Sequence, residues 1–294
     1  MIKILNNLTR LLEQLENLTL IQIFLVFPKI IEFFIRKFSM KNFIMKDIWG
    51  VYRIYTHNDP MGFRTCVGGY ELEEQAFFSK LLKGKLKNAE GIVDVGSAVG
   101  TFSCLFAKFA PNATIYSFEP SPFSYEQQLS QIEANNFSKK IELYNYGIGA
   151  SSSLMSFYYQ DGIEGSLWGS FHNDEADPRM LKKDIKIVSL DDFFDEEQQI
   201  DLIKIDIEGA ELPALLGMSN TIDRCQPLIL CEFALNFLVQ QEGDVYLKTL
   251  EFFGSKGYKP FLLQNSKILP YTWPQSRVMN LILVPNNFDI NKII

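Results

Sequence analysis

Hydrophobic positions divide the chain near residue 48. Before it, Leu5, Leu8, Leu12, Leu15 and Leu18 recur at three- and four-residue spacing, the period of one helical face. From Leu18 to Ile35 apolar residues crowd further, broken by Pro28, Lys29 and Glu32. No uncharged apolar run reaches the roughly 18 residues of a spanning helix. Nor is there a charged start followed by an apolar core and a small-residue cleavage site, so no secretory leader is expected. Residues 1–48 therefore read as an N-terminal helical extension. Two readings of it stay open. It packs on its own domain or a second subunit, making an oligomer. Or it lies in a membrane interface, with Phe33, Phe34 and Phe38 beside Arg36, Lys37 and Lys41, so that residues 18–41 touch the membrane surface.

From Trp49 the pattern changes, and residues 49–294 read as one domain. A helix-like stretch runs from Gly69-Tyr70-Glu71 to Leu82. Seven β-like runs then alternate with helix-like ones: Ile92–Val95, Thr114–Phe118, Ile141–Tyr146, Ile200–Ile205, Leu228–Cys231, Tyr258–Leu263 and Met279–Val284. This alternation predicts an α/β fold, a mostly parallel sheet with helices on both faces.

The first of these strands leads into chemistry. Val93-Asp94-Val95-Gly96-Ser97-Ala98-Val99-Gly100 is a buried strand followed by a glycine turn and then a helix. Ligands of doubly wound sheets bind at such carboxyl ends. The next strand ends at Glu119, placed to accept hydrogen bonds from ribose hydroxyls. Ser121 and Pro122 then suit the N-cap and first turn of a helix. A dinucleotide fingerprint needs three glycines, and here the positions are Gly96, Ala98 and Thr101. A pyrophosphate fits that loop poorly, which speaks against a nucleotide-dependent oxidoreductase.

A second charged cluster lies at the fourth strand, Ile203-Lys204-Ile205-Asp206-Ile207-Glu208-Gly209-Ala210-Glu211. Lys204 and Asp206 are two apart and share one strand face. Charges inside a covered sheet are costly unless paired or functional. Glu208 and Glu211 sit where acids suit a helix start. The next strand ends at Glu232, which parallel pairing brings to the same edge as Asp206. The two carboxylates are candidates for base and orienter, or for holding one Mg²⁺; solvated rim carboxylates are the plain alternative.

Charge and cysteines narrow the field. Lys plus Arg number 28 against 35 Asp plus Glu, a net −7, which argues against a nucleic-acid partner. Cys66, Cys104, Cys225 and Cys231 form no C-x-x-C pair, and only two His are present, so free thiols in a reducing, cytoplasmic setting are expected rather than zinc. The segment from Ser151 to Asp184 carries Tyr158, Tyr159, Trp168, Phe171 and His172, and reads either as a substrate-selecting loop or as a plain hairpin and surface loop.

Four blocks together resemble the FkbM-type S-adenosylmethionine (SAM)-dependent methyltransferases: Val93 to Gly100; Phe118-Glu119-Pro120-Ser121-Pro122 with Asn135 ending the helix; Ser189-Leu190-Asp191-Asp192; and Ile203 through Glu211 to Gly217. The resemblance implies a Rossmann-like class I methyltransferase, a seven-stranded sheet with the last strand antiparallel, and 49–294 as the catalytic domain. It implies O-methylation of a hydroxyl on a small molecule or sugar, with glycan acceptors included. The expected SAM contacts are Asp94, Gly96, Ser97, Gly100, Glu119, Pro120, Gly147 and Glu208. Asp206, Lys204 and Glu232 are the expected catalytic group, with Asp206 and Glu232 the candidate Mg²⁺ ligands. Ala98 stands where members often have Asn, Gly147 where they have Ala, and Phe233-Ala234 where a His often follows. Alternatives are a SAM-fold scaffold without catalysis, or a lipid-linked or protein acceptor.

Overall fold

A computed structural model of the chain describes residues 43–55, 70–160, 169–170, 180–207, 209–234, 245–264, 267–271 and 278–290. The chain divides into two units, Met1–Glu71 and Leu72–Ile294. In the first, β1 (Phe43–Lys46) pairs antiparallel with β2 (Tyr52–Tyr55). Asp47 closes the turn: Oδ1 accepts from the N–H of Trp49 and Val51, and Oδ2 from Arg53 Nε at 2.8 Å. The expected helical extension lies outside the described residues as far as 42. Its last stretch is a correction, because Phe43–Lys46 is strand; pairing with Tyr52–Tyr55 satisfies its backbone and overrides the helical reading.

The second unit runs α1 (Leu72–Lys83), β3 (Gly91–Val95), α2 (Thr101–Phe109), β4 (Thr114–Phe118), α3 (Pro122–Ala134), β5 (Ile141–Tyr144), β6 (Gly147–Ile148), β7 (Ser153–Gln160), β8 (Gly169–Ser170), β9 (Met180–Val188), α4 (Leu190–Phe193), β10 (Leu202–Ile205), α5 (Glu211–Leu216), α6 (Ser219–Cys225), β11 (Leu228–Ala234), α7 (Val245–Ser255), β12 (Tyr258–Gln264), β13 (Lys267–Pro270) and β14 (Val278–Pro285). The main sheet has the order β13-β12-β14-β11-β10-β3-β4-β5. From β11 to β5 all neighbours are parallel, whereas β14 runs antiparallel to both β11 and β12. The strand order reverses between β3 and β10, so a crevice belongs at their carboxyl ends.

All seven expected runs are strands of this sheet. The described sheet has eight, because β13 adds an edge hairpin to β12. One face joins Val93, Val95, Ile203, Ile205, Ile229 and Cys231 to Ala214, Leu215, Ile222 and Phe253 of α5, α6 and α7. The other meets α2: Ser103 Oγ donates to Asp94, and Lys204 Nζ lies 4.7 Å from the Phe102 ring centroid. Helices thus cover both faces.

A smaller sheet, β6-β9-β7-β8, carries the long connection before α4. Its core is an antiparallel hairpin from Ser153↔Ile187 to Gln160↔Met180, which places Tyr158 and Tyr159 on β7. Trp168, Phe171 and His172 lie outside the described residues. Cys104 and Cys231 are buried and Cys225 is half-buried, none of the three in a disulfide. Among the described residues no helix is long and apolar enough to cross a membrane.

Candidate functional site

The loop after β3 is shaped by the chain itself. Gly96 (φ +76°) has no room for a side chain, since a Cβ would stand 2.0 Å from the Asp206 carbonyl oxygen. At Gly100 (φ +82°) a Cβ would meet Gln128 Cγ at 2.6 Å. Both glycines therefore answer close packing of this chain as well as a left-handed backbone. Ala98 between them also has positive φ, +48°, a region that Asn tolerates better than Ala.

Consecutive loop residues are gripped by different partners. The N–H groups of Gly96 and Ser97 both donate to the Phe118 carbonyl at the end of β4. The Ala98 N–H donates to Glu119 Oε2 at 2.7 Å, and Gln131 Nε2 donates to the Val99 carbonyl at 2.7 Å. The other Glu119 oxygen accepts from the Ser121 N–H at 2.8 Å. Burial pushes this carboxyl up to about 7, against the relief of those two amide bonds. Each oxygen keeps a lone pair for a further donor. Ser121 caps α3 and Pro122 opens it, and Asn135 ends it. Asn145 Nδ2 donates to the carbonyls of Glu119 and Pro120, tying the end of β5 to this corner. Gly147 sits two residues beyond, in β6, paired with Ile187 of β9.

At the fourth strand, register sets Lys204 beside Asp94 and Ile205 beside Cys231. Lys204 Nζ is 2.8 Å from Asp206 Oδ2, with side-chain exposures of 4 % and 21 % respectively. The ammonium is thus enclosed while Asp206 reaches the surface. Burial raises the Asp94 carboxyl, with the Lys204 charge opposing. Asp94 Oδ1 has no hydrogen-bond partner among the described residues. Carboxylate oxygens of Asp206 and Glu232 come within 4.8 Å of each other, as parallel pairing of β10 and β11 requires. Two carboxylates are what Mg²⁺ commonly takes from a protein, with water filling the rest of its shell, so the pair fits the expected ion without showing it. Glu208 lies outside the described residues. Glu211 opens α5 fully buried; its Oε1 accepts from the Gly209 N–H, its Oε2 has no partner among the described residues, and burial raises it to about 7.

The remaining sequence blocks brace this region. Ser189 Oγ and the Asp191 N–H both donate to the Gly217 carbonyl. The Asp191 carboxylate in turn accepts from the N–H groups of Asn220 and Thr221. Gly217 is glycine because a Cβ would stand 1.9 Å from the Gly149 carbonyl oxygen. Sequence reasoning missed Gln128, Gln131 and Asn145. A signal was present for the first two: Ser124, Gln128 and Gln131 follow helical spacing, and the buried stripe of α3 is polar.

A mostly parallel sheet, a braced glycine loop at its reversal and acids along its carboxyl edge define a Rossmann-like ligand-binding domain. Residues 94–260, more than half of the chain, match the Methyltransferase FkbM domain family, and the chain belongs to that family. Methyltransferase sdnD of Sordaria araneosa is 26% identical over 156 residues, covering 44% of this chain and 60% of that protein. Hexuronic acid methyltransferase AglP of Haloferax volcanii is 28% identical over 145 residues, covering 49% and 56%. The chain thus spans less than two thirds of the length of these relatives. The solved methyltransferase FkbM of Methylobacillus flagellatus KT aligns over 76% of this chain and 53% of that one, at 16% identity and a TM-score of 0.46.

Proposed function

We propose that this chain transfers a methyl group from SAM to a hydroxyl of a sugar or other small molecule. The observation that carries the reading is the acidic carboxyl edge. Glu119, Asp206 and Glu232 line it with Asp94 behind, and the Lys204 ammonium is turned inward onto Asp206. Such an edge suits a ligand with a sulfonium and an ammonium, and would repel a pyrophosphate. Glu119 is placed to receive ribose hydroxyls, and Asp94, Gly96, Ser97, Gly100 and Pro120 surround the same corner.

When bound, SAM supplies an electrophilic methyl on a good leaving group. The chain's work is then to align the acceptor oxygen, where proximity lowers barriers by about 7–11 kcal/mol. Asp206, partly exposed and steered by Lys204, takes the acceptor's proton, with Glu232 beside it to orient the acceptor. A positioned base of this kind adds roughly 10²–10⁴-fold. A sugar acceptor is favoured by the similarity to a hexuronic acid methyltransferase. Residues 18–41 at a membrane surface would extend the reach to lipid-linked sugars.

The test is transfer of labelled methyl from SAM to a panel of hexuronic acids, neutral sugars and hydroxylated metabolites. Turnover is expected on at least one sugar and is expected to fall by about 10²-fold or more in Asp206→Asn. Full turnover by that variant would remove Asp206 from the reaction. SAM binding without transfer to any acceptor would point to a scaffold.

A further inference from the structure

Behind the glycine loop lies a chain of four short hydrogen bonds among enclosed side chains. Ser97 Oγ is 2.7 Å from Gln128 Oε1, and Gln128 Nε2 is 2.6 Å from Ser117 Oγ. Ser117 Oγ is 2.9 Å from Ser103 Oγ, which is 2.6 Å from Asp94 Oδ2. Ser103, Ser117 and Gln128 are 0 % exposed and Asp94 1 %, while Ser97 retains 6 %. The chain therefore starts at a buried carboxylate under α2 and surfaces at the glycine loop.

Counting hydrogens fixes its direction. An ionised Asp94 only accepts, so Ser103 spends its single hydrogen on it. Ser117 must then donate to Ser103, and accept from the Gln128 amide. That leaves Gln128 Oε1 to accept from Ser97. Turning the Gln128 amide over would ask the Ser117 hydrogen to serve two acceptors, leaving one buried contact without a proton. With Asp94 ionised beside the Lys204 ammonium of the neighbouring strand, only one arrangement satisfies all four bonds. In it the Ser97 hydroxyl has its hydrogen directed inward, and its oxygen offers a ligand nothing but lone pairs.

We propose that Ser103, Ser117 and Gln128 are positioning residues that hold Ser97 Oγ as a pure acceptor, selecting the ammonium of the SAM amino-acid moiety over an anionic group at the glycine loop. This rests on the SAM reading above. Gln128 is doubly suited to the task, since its stem also occupies the space beside Gly100. Asp94, at the far end, acts on Ser97 through three intermediaries.

The test compares two ligands by calorimetry: SAM, and 5′-methylthioadenosine, which shares the nucleoside and sulfur but lacks the amino-acid moiety. Ser97→Ala and Gln128→Met are each expected to weaken SAM by about tenfold or more and to leave methylthioadenosine within about twofold of the parent protein. The double variant is expected to lose no more than the worse single one, because both cut one chain. Ser117→Ala serves the same purpose if Gln128→Met does not fold. Equal losses for both ligands, or additive losses in the double variant, would overturn the relay while leaving SAM binding intact. Parent protein that binds methylthioadenosine but not SAM, or neither, would overturn the SAM reading and the relay with it.

Discussion

Lys204 Nζ stands 2.8 Å from Asp206 Oδ2, an enclosed ammonium holding a carboxylate that reaches the surface. The same ammonium opposes the burial that raises Asp94 on the neighbouring strand. Removing one partner of a buried pair leaves the other charge uncompensated, which costs more than the pair contributes. Lys204→Met is therefore expected to lower unfolding stability by about 3 kcal/mol, read from urea denaturation. Stability within 0.5 kcal/mol or so of the parent would show the pair to be well screened.

Two buried carboxyls give stability a pH signature. Glu119 and Glu211 are both raised by burial, from 4.5 to about 7. Between those values the folded chain binds more protons than the unfolded one, so these groups make stability fall as pH rises from about 4.5 to 7 and level off above. Asp94, raised by the same cause, adds in the same direction. Denaturation at a series of pH values is expected to show a shallower fall for Glu211→Gln than for the parent. Identical slopes would mean that Glu211 ionises normally in the fold.

Two glycines are expected to behave oppositely. Gly254 lies in α7 with nothing within 4 Å of a Cβ, so Gly254→Ala is expected to stabilise by roughly 0.5–1 kcal/mol. Gly96 combines positive φ with the Asp206 carbonyl 2.0 Å from the new atom. Gly96→Ala is expected to destabilise the fold and weaken SAM binding together, as thermal unfolding with and without ligand would show.

Much of this was legible in the sequence, for stated reasons. The inner strands Gly91–Val95, Thr114–Phe118, Leu202–Ile205 and Leu228–Ala234 stood out because both faces of the sheet are covered there and their residues are largely apolar, whereas Ile141–Tyr144 and Tyr258–Gln264 are partly buried and mix in Glu142, Lys259 and Pro260. The edge strand Lys267–Pro270 is mostly exposed and carries no such pattern. Glu119 and Asp206 were visible because an acid ending an apolar run is conspicuous. The pairing of Ser97 with Gln128 was not, since the two are 31 residues apart and neither type signals a partner. Ala98 at positive φ explains the departure seen there: Asn would relieve strain that Ala carries.

The most direct measurement is a calorimetric titration of SAM into the parent protein and into Glu119→Ala, with NAD as control. The account predicts that SAM binds, that Glu119→Ala binds it at least about tenfold more weakly, since hydrogen bonds to a charged group contribute about 1.5–3 kcal/mol, and that NAD gives no heat of binding. Well-folded protein that takes up NAD, or leaves SAM unbound, would contradict it.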